Sequence, residues 1–111
     1  MNKFFKSLLM LILITSKLIA QDYVTIQKAI KAEKAHNYGK AIKYFNCALE
    51  KDPNNDYLHY KLGKNYFNQN DYETSIYHME QAKSLMKDSM NYHFDMYHLY
   101  SVTGYTALAK E

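Results

Sequence analysis

The chain has 111 residues, with 14 lysines, 11 acidic residues and no arginine, for a formal charge of +3, so it has room for one small domain. Without the guanidinium fork that suits phosphate and guanine, and with so small an excess of charge, nucleic acid is excluded as a natural partner. A single cysteine, Cys47, excludes an internal disulfide framework, and an odd thiol in an oxidising compartment is either buried or open to an intermolecular bond.

The first element is an apolar leader. Lys3 and Lys6 precede an unbroken apolar run from Leu8 to Ile14, followed by Thr15-Ser16-Lys17 and then Leu18-Ile19-Ala20. This is the layout of a secretory signal peptide over residues 1–20, with cleavage expected after Ala20 and Gln21 as the new N-terminus. Leu18 is bulkier than the small residue usual three positions before a cut, so the cleavage site is less well fixed than the leader. The expected location is the bacterial periplasm, the outer envelope or the medium. The apolar core is shorter than the roughly 20 residues that a membrane span takes, and an uncleaved short anchor is the alternative. Three of the fourteen lysines belong to the leader and no acid does, which leaves eleven against eleven in residues 21–111. The basic character therefore belongs to the export signal.

Residues 22–55 read as a helical hairpin. Ile26, Ala29, Ile30 and Ala32 recur at helical spacing, His36-Asn37 breaks the pattern, and Ala41, Ile42, Phe45, Ala48 and Leu49 form a second apolar stripe. Asp52-Pro53-Asn54-Asn55 ends it, because proline cannot continue a helix and asparagine favours turns. Residues 56–89 repeat the plan: Asp56 is expected to cap the first helix and Asp71 the second. Leu62, Gly63, Tyr66 and Phe67 supply the buried side of the first helix, and Ile76, Met79, Ala82 and Leu85 that of the second. A partial third unit, residues 90–111, starts near Ser89, with Phe94, Tyr97 and Tyr100 on a helical pattern up to Gly104.

The units match each other at a spacing of 34 residues. Asp22-Tyr23 recurs as Asp56-Tyr57, Tyr38 as Tyr72, Ile42 as Ile76, Ala48 as Ala82 and Tyr66 as Tyr100. A fixed period in this range signals stacked supersecondary units. The pattern resembles the tetratricopeptide repeat, through Ala29, Ala41, Phe45, Ala48 and Pro53 in unit one and Leu62, Gly63, Tyr66 and Ala82 in unit two. The resemblance departs from the family pattern at Thr25, Lys28 and Lys87, and it covers residues 21–111. It implies an all-α, right-handed solenoid of helical hairpins, with about two full repeats and part of a third.

The family binds ligands on the concave face made by the first helices of successive units. Carried over, that face comprises Tyr23, Ile26, Ile30, Glu33 and Lys34 in unit one and Tyr57, Tyr60, Lys64, Phe67 and Asn68 in unit two. Unit three adds Asn91, Phe94, His98, Ser101 and Val102. Where the family's carboxylate clamp has cations and asparagine, this chain has Ile26, Ile30, Phe94 and His98, so an apolar-aromatic groove for a protein or peptide segment is expected instead. Tyr66 and Tyr100 fall at the family's packing position and are expected to be structural.

The remaining chemistry points away from catalysis. No HExxH, no Cys/His pairing, no Gly-x-Ser-x-Gly elbow and no phosphate loop is present, so no metal, cofactor or enzymatic activity is expected. His59 and His93, one period apart, are expected in the interiors of their own units. The expected function is a non-catalytic interaction scaffold. The alternatives are that the repeats are the N-terminal part of a larger envelope protein whose other domain anchors or acts, or, remotely, that the chain is a small enzyme. With only Tyr105 to Glu111 following Gly104, self-association through the C-terminal edge is expected, with Cys47 as a secondary contributor.

Overall fold

The computed structural model describes residues 2–104, and it is helical throughout with no strand among them. Six helices follow one another: α1 (Lys3–Lys34), α2 (Tyr38–Lys51), α3 (Asp56–Asn68), α4 (Tyr72–Gln81), α5 (Lys83–Met86) and α6 (Met90–Thr103). α1 pairs with α2 and α3 with α4 as hairpins, and α2 packs on α3 to join them. The expected features of residues 105–111, and the side chain of Leu85, lie outside the described residues.

The 34-residue period is written into the backbone. The turns after α1, α3 and α6 place His36, Asn70 and Gly104 in the left-handed region, at φ of 59°, 64° and 79°. The N–H groups that follow the first two reach back identically, Asn37 to the Ala32 carbonyl at 2.9 Å and Asp71 to the Tyr66 carbonyl at 3.0 Å. These are the long closing bonds of a Schellman-type helix end. The caps recur as well. Asn37 and Asp71 accept from the backbone N–H groups of Lys40 and Thr74 to start α2 and α4, and Asn55 and Ser89 accept from Leu58 and Tyr92 to start α3 and α6. Asn55, one residue earlier than expected, is thus the cap of α3, and Asp56 instead accepts a hydrogen bond from the Ser84 hydroxyl at 2.8 Å.

Two apolar clusters form the core. The first gathers Ala29 and Ala32 of α1, Ala41, Ile42, Phe45 and Ala48 of α2, and Leu58 and Leu62 of α3. The second gathers Ile76, Met79 and Ala82 with Tyr92, Met96 and Leu99 of α6. In α6 the buried side is therefore Tyr92, Met96 and Leu99, and the expected stripe of Phe94, Tyr97 and Tyr100 is only marginally inside: Phe94 and Tyr97 face outward and Tyr100 is half-buried. Gly63 is required where α3 meets α4, because a Cβ there would come within 2.6 Å of Met79 Cγ. The second apolar stripe of unit two is broken at Ala82, whose N–H is shared between the His78 and Met79 carbonyls, both at 3.2 Å, so that α4 ends and α5 begins.

α1 is one continuous helix of 32 residues, and its first half is exposed along its whole length. By length and composition it is long and apolar enough to cross a membrane, a property that a signal sequence near the N-terminus shares. Its second half packs into the first core cluster through Ala29 and Ala32, and Asp22 at the start of that half pairs with Lys51 at 2.8 Å.

Candidate functional site

The first helices meet along two polar seams, both anchored on α3. On one side Glu33 of α1 accepts from Lys61 Nζ at 2.8 Å and from Asn65 Nδ2 at 2.7 Å. Asn65 is fully buried and its Nδ2 also donates to the Lys61 carbonyl, which fixes the amide orientation and leaves Oδ1 without a partner among the described residues. On the other side Asp95 of α6 accepts from the Tyr60 hydroxyl at 2.9 Å and pairs with Lys64 Nζ at 3.7 Å, while that ammonium lies 5.4 Å from the Tyr60 ring centroid. Burial, and then the bond to Asp95, push the Tyr60 phenol well above its ordinary range.

Beside the second seam lies a pocket of about 170 Å³ between α3, α4 and α6. Gly63, Met79 and Leu99 line its apolar interior, Phe67 and His98 meet edge to face at 5.4 Å, and Lys64, Asn68 and Asp95 supply its polar groups. Gly63 is held by its carbonyl, which accepts from the buried Ser75 hydroxyl at 2.6 Å. The lining mixes an apolar interior with convergent polar groups, a composition that suits a small ligand or a single side chain.

Five of the fifteen residues carried over from the resemblance converge here. Lys64, Phe67, Asn68 and His98 line the pocket, and Tyr60 is tied to Asp95 at its edge. Ile26 and Ile30 are partly buried against the first core cluster, and Tyr23 is exposed on α1. Tyr57 is exposed, with the Lys61 ammonium 5.9 Å from its ring, and Phe94 is two-thirds exposed and does not line the pocket. Sequence reasoning missed Asp95, Met79 and Leu99 as lining residues. Asp95 had a visible signal, since it stands 34 residues after Lys61 and reverses its charge at the same register.

The histidines take roles that spacing did not disclose. His59 is buried as expected, but His93 is exposed. Both nevertheless use Nε2 on the carbonyl of the residue six before, Pro53 at 2.8 Å and Lys87. A carbonyl only accepts, so His59 Nε2 carries the proton. In the neutral ring Nδ1 is then bare and accepts from His78 Nδ1–H at 3.0 Å. His78 also stacks on Tyr66 with the rings 2° from parallel, and burial first, then the neighbouring His59, lower its pKa to about 4.

Among the described residues no cluster of three or more His, Cys, Asp or Glu side chains is placed to hold a metal ion. Cys47 is free and exposed on α2. No family model and no curated protein matches the chain.

Proposed function

We propose that this chain is a tetratricopeptide-type scaffold, carried out of the cytoplasm by its leader, that holds a protein or peptide segment by an apolar side chain. The observation that carries this reading is the pocket beside the Asp95 seam. Its buried lining is Gly63, Met79 and Leu99 with the Ser75 hydroxyl, its mouth is polar, it is formed by the first helices of units two and three together with α4, and five of the fifteen residues expected from the repeat resemblance stand in or beside it. The backbone recurrence at His36, Asn70 and Gly104 supports the repeat assignment independently of side chains. The pocket suits one anchor and not a long groove, because Tyr60 and Lys64 are engaged by Asp95 and Ile26 and Ile30 are drawn into the core.

Photo-crosslinking tests this. A photoreactive side chain placed at Asn68 or His98, both exposed at the pocket, is expected to form a protein adduct in the cell envelope, and one at the exposed Glu50 of α2 is not. Adducts equal at all three positions, or none at Asn68 and His98 in a chain of full helicity, would overturn the site.

A further inference from the structure

We propose that the outward face of α6 is an interface between two copies of this chain, packed antiparallel about a twofold axis. α6 carries Asn91, Asp95 and His98 on the side that borders the pocket, and its outward strip is apolar. Its inner side carries Tyr92, Met96 and Leu99, and its outer side exposes Met90 (83%), Phe94 (67%) and Tyr97 (70%). An exposed strip of large apolar side chains marks an interaction surface. Its exposed residues include no Asp, Glu or Lys, and its one charged residue, Asp95, is already taken by Tyr60 and Lys64. The exposed face of α2, by contrast, carries Lys40, Lys43, Glu50 and Lys51. Depletion of charge is the compositional mark of an interface core.

Two observations select a second copy as the cover. The first is the spacing of the outward residues. Met90, Phe94, Tyr97 and Ser101 lie within about 60° of one another at 3.6 residues per turn, and their steps of four, three and four read the same in both directions. An antiparallel copy therefore sets Phe94 opposite the partner's Tyr97, and Met90 opposite the partner's small Ser101, twice over. This is the self-complementarity that a twofold contact requires, and an uncharged face meets itself without repulsion. The second is the register of Tyr97. One and two periods earlier the same position is held by Gly63 and Ala29, both buried, and even a Cβ on Gly63 would strike Met79 of the following helix. A helix packed on α6 as α4 packs on α3 would collide with the Tyr97 ring. The face suits interdigitating aromatics at a wider spacing. None of the four outward residues lines the pocket, so the interface goes beyond the proposed function and does not depend on it.

The test is disulfide mapping on the full chain. With Cys47→Ser as background, Phe94→Cys and Tyr97→Cys variants are expected to give crosslinked dimers under mild oxidation, and the unaltered chain, with only its exposed Cys47, is not. Adding Tyr97→Lys or Ser101→Lys to the Phe94→Cys chain places two like charges in the contact and is expected to reduce the dimer at least tenfold at unchanged helicity. Both substitutions fall on exposed residues, so at least one folded variant is available to read. Absence of a Phe94→Cys dimer, including the case in which another segment of the same chain covers α6, would overturn the interface. So would a Cys47 dimer of equal yield, or a dimer insensitive to both lysines.

Discussion

At the level of single residues, the most consequential contact is the histidine pair. His59 is held by the Pro53 carbonyl as the Nε2–H tautomer, so its bare Nδ1 accepts from His78. A proton added to His78 goes to its Nε2, so the Nδ1–H bond to His59 survives and the cost is that of a charged ring in a buried site. The folded pKa of His78, about 4, lies below its ordinary 6.5 because burial disfavours the charged ring. The unfolded chain therefore binds the proton more tightly. The His78 contribution is fully present above pH 6.5 and is lost as pH falls from there toward 4, by at most about 1.4 kcal/mol per pH unit. Urea unfolding at pH 7.0, 6.0 and 5.0 is expected to show this decline, and a His78→Phe variant, which keeps a ring against Tyr66, is expected to lose most of it. An equal decline in the variant would assign the effect to other groups.

Among the elements, the turns were legible and the third helix was less so. His36-Asn37, Asn68-Gln69-Asn70 and Gly104 end helices where the sequence has turn formers, because few other residues meet the demand for a left-handed backbone or a side-chain cap. The inward side of α6 was misread because Phe94, Tyr97 and Tyr100 are the conspicuous aromatics. The repeat register points instead to Tyr92 and Met96, which stand 34 residues after the buried Leu58 and Leu62. The Asp95 seam and the His59–His78 bond escaped notice because each joins side chains on separate helices, and the angle between helices is not encoded in the spacing along either one. The turns also carry a prediction. His36 holds φ of 59° with a Cβ, a conformation that costs a non-glycine residue about 1 kcal/mol or more. Its exposed bond to the Tyr38 hydroxyl, 2.8 Å long, offsets little of that. His36→Gly is expected to raise the stability of the hairpin by roughly 0.5–1 kcal/mol, read as a higher urea midpoint. A lower midpoint would show that the Tyr38 contact outweighs the strain.

The whole molecule is 66 Å long because the leader half of α1 extends beyond the packed units. That half contributes nothing to either core cluster, and the ion pair of Asp22 with Lys51 marks where packing begins. Loss of residues 1–20 therefore leaves both clusters intact. The released helix starts with an acid in its first turn, the sign favoured at a helix N-terminus. Mass spectrometry of the protein from its native source is expected to find a chain beginning near Gln21. An intact Met1 would place the leader in the working protein as an anchor.

The three left-handed turn residues, His36, Asn70 and Gly104, stand at one register of a 34-residue cycle, and the first two are followed by equivalent caps. A change in gene length that respects this cycle joins like to like. Excising residues 37–70, for example, would bring His36 directly before Asp71 and restore the same sequence of bend and cap. The junction that a whole-unit change in length would need is thus already present in the chain's own turns.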